Sequence, residues 1–173
     1  LNEAPQTFTL DGQLFLSGST QPLLDSSAKL RVQVLNPAKT CLLYEEEQTV
    51  NTVGSNGYFN IQVGSMVGSG KRTASDPGRS MNSVFQNMGA IAANNAPLQT
   101  CVGGVYTPNP GDIRYFRIVV TPSATNTDDT LSPDMIMDSV PNAVVAQSVQ
   151  GLERAGILQV NNTGSTALTQ SNL

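Results

Sequence analysis

Several runs of this chain alternate apolar and polar residues with a period of two, a pattern that fits half-buried strands and little else. In 30–34, Leu30, Val32 and Val34 share one face, and Arg31 and Gln33 the other. In 58–63 the expected inward set is Phe59, Ile61 and Val63; in 115–120 it is Phe116, Ile118 and Val120. Residues 7–16 alternate through Phe8 and Leu10, break at Asp11-Gly12, and resume at Leu14 and Leu16. Residues 41–50 read as a further strand. β-branched and aromatic residues at these positions favour strands over helices. Turn chemistry separates the runs. Asn36-Pro37 stops one strand, and 108–112 forms a tight loop. Asn56-Gly57 is a strong hairpin signal between the strand ending near Val50 and the one starting at Tyr58. The expected fold is mostly β: an antiparallel β-sandwich with one short helix, followed by a C-terminal stalk-forming segment.

The helix is expected within 80–94. Met81, Val84, Phe85, Met88 and Ile91 recur at helical spacing there, and Ser80 suits an N-cap. That stripe reads as core packing. After Pro141 the character changes. Residues 143–158 are small and apolar, with Val145, Val149, Leu152 and Ile157 interleaved among Ala, Gln and Gly. Residues 160–173 are rich in Asn, Thr and Ser, with isolated Leu168 and Leu173. Such a segment is either disordered or completed by partner chains, and the persistence of apolar positions favours partners. The expected division is a β-sandwich head over 1–141 and a stalk or neck segment, completed by trimerisation, over 142–173.

Charge and chemistry exclude several functions. The 173 residues carry a net charge of −4, and only nine are Lys or Arg. Nucleic-acid binding needs a basic surface that displaces counterions, so no nucleic-acid partner is expected. No apolar run is long enough for a transmembrane helix, and no direct membrane insertion is expected. There is no histidine, which removes the commonest general base and metal ligand near neutral pH. No catalytic residue, metal or cofactor is assigned, and the chain is expected not to be an enzyme. It opens at Leu1 with no Met and no charged-then-apolar leader, and is read as a mature or trimmed chain without its signal peptide. Cys41 and Cys101 are the only cysteines. In a secreted chain they would pair, with a chain-entropy gain of about 4 kcal/mol; the alternative is two buried free thiols.

The acidic cluster Glu45-Glu46-Glu47 lies on an expected strand, so Glu45 and Glu47 share a face and Glu46 points the other way. The plain expectation is a solvated strand face that discourages edge pairing. A hydrolase reading would pair Glu45 or Glu47 with Asp128 or Asp129 across a substrate. Residues 126–130 otherwise read as a polar surface hairpin. The Gly- and Ser-rich stretch 64–78 has no phosphate-binding loop, and its Lys71 and Arg72 are candidate contacts for a ligand or partner. Tyr58 and Tyr115 face away from the expected core and are candidates of the same kind.

Four stretches resemble a domain near the N-termini of secreted bacterial fibre and phage-tail-fibre-like proteins. Residues 10–14, LDGQL, are similar to a YQGRL pattern. Residues 43–50, LYEEEQTV, resemble LW-x-E-x-Q-x-V, and 56–64, NGYFNIQVG, resemble NGVF-x-V-x-LG. Residues 131–143, LSPDMIMDSVPNA, resemble LSPR-x-x-L-x-SVPYA. The matches fall in family order and span about 8–146. The two cysteines and Phe85-Gln86-Asn87 are similar to the variant in surface fibres of predatory Gram-negative bacteria. Asp134 stands where the family has a basic residue, and Asn142 where it has an aromatic one. The resemblance implies a secreted, cell-surface homotrimer whose β-rich head precedes a stalk and recognises a surface glycan or envelope component of another cell. The other expectation is a carbohydrate-binding β-sandwich module of a secreted protein.

Overall fold

The computed structural model describes residues 7–97 and 99–137 and, beyond them, the strands Ser148–Val149 and Leu152–Glu153. The chain divides into two compact units, Leu1–Val140 and Pro141–Leu173. Within the second unit, Ser148–Val149 (β11) pairs antiparallel with Leu152–Glu153 (β12). The expected stalk over 142–173 otherwise lies outside the described residues.

The first unit is an all-antiparallel β structure, as the alternation requires. Its strands are β1 (Phe8–Gln13), β2 (Ala28–Leu35), β3 (Cys41–Val50), β4 (Tyr58–Val63), β5 (Ile91–Ala92), β6 (Asn94–Asn95), β7 (Val105–Tyr106), β8 (Arg114–Thr121), β9 (Asp129–Thr130) and β10 (Met135–Met137). The large sheet runs β10-β8-β2-β3-β6, and β9 also pairs with β8. β1 and β4 form a separate two-stranded sheet, as do β5 and β7. The core joins the inward faces of the first two sheets. Leu30, Val32, Val34, Phe116, Ile118 and Val120 of the large sheet cluster with Phe59, Ile61 and Val63 of β4. All nine are buried, and all nine stand where the alternation puts them. The Phe8 ring packs edge-on against Phe116, with centroids 5.1 Å apart. Cys41 and Cys101 form a disulfide, closing β3 onto the loop after β6.

Three local expectations need correction. Asn56-Gly57 turns the chain, with φ of 54° and 84°, but β3 and β4 do not form a hairpin. β3 pairs with β2 and β6, and β4 pairs with β1, so the turn carries the chain from one sheet to the other. Gly57 is needed there, because a Cβ would sit 2.7 Å from the Leu14 carbonyl oxygen. Next, Asp11-Gly12 does not interrupt β1. Gly12 pairs with Phe59 inside the strand, and a Cβ at Gly12 would stand 3.1 Å from the Phe59 ring. Last, the helix α1 is a single turn, Met81–Phe85, and does not extend toward Asn94. Ser80 caps it, its side chain accepting from the Ser83 N–H. The chain is already extended at Gln86, Gly89 takes a φ of 69°, and Ile91 enters β5. Tertiary pairing overrides the helical period there, and Met88 is left exposed.

Candidate functional site

The outer face of the large sheet is polar, and much of it is buried. β2 supplies Arg31 and Gln33, β3 supplies Glu45 and Glu47, and β8 supplies Arg117. Register sets Gln33 between Glu45 and Arg117, and Arg31 opposite Glu47. Alternation predicts that these side chains leave the core, but segment 71–76 covers part of the face they reach. The Glu47 N–H donates to the Lys71 carbonyl at 2.8 Å. The Glu45 N–H donates to the Asp76 carboxylate at 2.9 Å. β6 extends the cover at the start of β3, where Asn95 pairs with Cys41. Between these covers and β2 lies a cleft of about 580 Å³, lined among others by Arg31, Gln33, Glu45, Lys71, Thr73 and Asn95.

The charges on this face are paired within the protein. The Gln33 amide donates to Glu45 at 2.5 Å, and the Thr73 hydroxyl donates to the other oxygen of that carboxylate. Arg31 reaches Glu47 at 3.3 Å and Asp128 at 2.9 Å. Donation from Thr121 and Arg31 holds the Asp128 carboxyl below the usual carboxylate range. Farther along, Arg117 grips Asp134 through two nitrogens, each at 2.9 Å, and Lys39 joins at 3.0 Å. The Arg117 bonds, reinforced by Lys39, lower the Asp134 carboxyl in the same way. An acidic residue at 134 thus has a structural reason: two cations already flank the position.

Glu46 points to the opposite face, as strand geometry requires, but it is not solvated. It is fully buried, and Glu45 is buried with it. This corrects the expectation of a solvated acidic strand face. The Glu46 carboxylate accepts from the Tyr44 hydroxyl, the Gln48 amide, the Ser65 hydroxyl, and the Ser65 and Gly64 N–H groups. Burial pushes its carboxyl up, but the donors from Ser65, Tyr44 and Gln48 outweigh that and hold it low. Burial, with the hydrogen bond to Glu46, pushes the Tyr44 hydroxyl up to about 12.

The residues singled out from sequence lie in different places. Arg72 stacks over the Tyr44 ring at 3.8 Å and pairs with Asp76 at 2.8 Å; its side chain is only 3% exposed. Lys71 is exposed, reaches Gln48 at 2.9 Å and lines the cleft. Tyr58 is exposed on β4 of the two-stranded sheet. Tyr115 is half-buried on β8 beneath the Lys39 ammonium, 4.2 Å from its ring centroid. The two tyrosines therefore sit on different sheets and do not form one platform. Glu45 or Glu47 and Asp128 do not face each other across an open gap, because Arg31 bridges Glu47 and Asp128. Among the described residues no group of three Asp, Glu or Cys is placed to hold a metal ion. Sequence reasoning missed Gln33, Thr73 and Asn95. Gln33 carried a signal, being an amide at an alternating position opposite an acidic cluster; Thr73 and Asn95 carried none.

A second surface lies at another part of the unit. Phe15, Leu16, Leu24, Val53 and Leu131, each 40% exposed or more, line a groove of about 890 Å³ with Leu14, Leu23 and Pro22. Asp25 lies at its rim, where it accepts from the Ser123 N–H and hydroxyl at 2.6 and 2.7 Å.

No protein-family model matches the chain, and no curated protein or solved structure matches it. Among the described residues no helix is long and apolar enough to cross a membrane.

Proposed function

We propose that this chain is the structural and adhesive head of a homotrimeric extracellular fibre, one that recognises a cell surface or caps the fibre. The observation that carries this reading is the apolar groove. Five large hydrophobic side chains stand together in water at one place on the sandwich, and contiguous exposure of that kind is characteristic of a surface that another chain covers. The Cys41–Cys101 disulfide supports a location in an oxidising compartment. The sequence resemblance to bacterial fibre heads supports three copies, whose weak individual contacts would add through avidity.

Light scattering on the intact chain at micromolar concentration tests the reading. Three chain masses are expected, and Leu24→Asp, which places a charge in the groove, should lower the mass. A single chain mass that does not change with concentration overturns the trimer. The polar cleft favours one other reading, a carbohydrate-binding β-sandwich module of a secreted protein, which would be monomeric and still bind sugar.

A further inference from the structure

The cleft over the polar face has a chemistry that selects its ligand. Most of its charged groups already have charged or hydrogen-bonded partners: Arg31 has Glu47 and Asp128, Arg72 has Asp76, and Glu45 has Gln33 and Thr73; the exposed Lys71 ammonium at the edge has the neutral Gln48 amide oxygen. A cationic ligand would have to break one of these pairs, and an anionic one would find only Lys71 without a carboxylate partner among the described residues. Among the described residues no aromatic side chain lines the cleft, so a flat apolar ring finds nothing to stack on. Apart from Lys71, what the walls offer is neutral or internally balanced hydrogen-bonding capacity: the Gln33 amide, the Thr73 and Ser75 hydroxyls, the Asn95 amide and the remaining lone pairs of Glu45.

Two atoms show that this capacity is not used up: among the described residues the buried Gln33 Oε1 and Arg72 Nε have no hydrogen-bond partner. Gln33 is 1% exposed, and among the described residues its Oε1 is a buried acceptor with no donor. Turning the amide over would not help, because the carbonyl would then face the Glu45 carboxylate. A buried acceptor without a donor is costly, and what it lacks is an O–H or N–H.

We propose that this cleft binds a neutral, hydroxyl-rich ligand, a sugar unit held edge-on by hydrogen bonds and not stacked on a ring. Glu45 accepts from sugar hydroxyls, and so does the Gln33 Oε1 once the side chains that close it from water part, while Asn95 and Ser75 close the rim from β6 and segment 71–76. Single-site affinity is weak, because no apolar platform adds to the hydrogen bonds. The inference rests on the recognition role proposed above, but its test does not depend on how many chains associate.

The test is an amide-resolved NMR titration of the intact chain with neutral hexose oligosaccharides, run beside sialylated oligosaccharides and inorganic phosphate. Neutral sugars should shift the signals of residues 31–33, 45–47, 71–75 and 95, saturating in the millimolar range. Ala74→Trp fills the cleft from an exposed position outside the hydrogen-bond network, and it should weaken binding at least about tenfold. Gln33→Leu should weaken it as well, with the fold retained. Binding of the anionic probes alone, shifts elsewhere on the chain, no binding of any probe, or undiminished binding by Ala74→Trp overturns the proposal. A monomer that binds sugar in the cleft would sink the trimeric head and leave this inference standing. A trimer that ignores sugar would do the reverse.

Discussion

The two faces of the large sheet draw on the same strands and are closed off from water by different means. On the inner face, Leu30, Val32, Val34, Phe116, Ile118 and Val120 pack into one apolar cluster. On the outer face, Arg31, Gln33, Glu45 and Arg117 are buried or half-buried under loops and pair with one another and with Asp128 and Asp134. The inner face gains from removal of apolar surface, roughly in proportion to area. The outer face gains little net, because each charge taken from water needs a partner to offset its desolvation. A fold keeps such a face for specificity or for binding more readily than for stability, and the unpartnered Gln33 oxygen fits the second use.

The sharpest way to strain that comparison is to cut the disulfide. Cys41 belongs to the inner cluster, but the bond also anchors the β6 cover, where the Cys101 N–H donates to Asn95 at 2.9 Å. Replacing both cysteines with serine should cost about 4 kcal/mol in urea unfolding. Amides of 94–101 should lose exchange protection before those of β2 and β8. Leu30→Ala strikes the inner face alone and should cost about 3 kcal/mol by the same measurement, through lost burial and a cavity. Glu46 is a charge on the inner side. Glu46→Gln keeps the shape but turns an acceptor for five donors into a neutral amide, and should cost about 2 kcal/mol.

Acid separates the ionised groups from the apolar core without a mutation. Asp128, Asp134 and Glu46 are held low in the folded chain. Each therefore contributes stability that is complete above the unfolded carboxylate range and is lost as pH falls through the lower folded value. Unfolding free energy should be level between about pH 7 and 5 and decline below about pH 4. Asp134→Asn should flatten part of that decline, whereas Leu30→Ala should lower the whole curve and leave its slope unchanged. Thermal melts over a pH series would read both.

The inner face was legible because alternation encodes it directly: each of the nine inward positions it picks in 30–34, 58–63 and 115–120 reached the core. The outer face was not, because alternation says only that Arg31 and Gln33 leave the core. It is silent on what meets them there. Segment 71–76 does, and nothing in its Gly- and Ser-rich composition announces that it lies along β3. For the same reason Arg72 read as a candidate ligand or partner contact, because Tyr44 and Asp76 lie beside it only in the folded chain. Asn56-Gly57 was legible as a turn but not as a passage between sheets, since turn chemistry fixes the local bend and leaves the strand partners to the core. Of the cleft, sequence reasoning found Lys71 and the Glu45 position and missed the amide and hydroxyl groups that give it its character.

The smallest expected effect is the most telling. Gln33→Leu removes a donor to Glu45 and also removes the unpartnered oxygen, two changes of opposite sign on stability. The decisive measurement is urea unfolding of Gln33→Leu beside Leu30→Ala, two buried neighbours on β2 that face opposite ways. If the outer face is kept for binding, Gln33→Leu loses less than about 1 kcal/mol while Leu30→Ala loses about 3. An equal loss in both would make the outer face a second structural core and contradict the account.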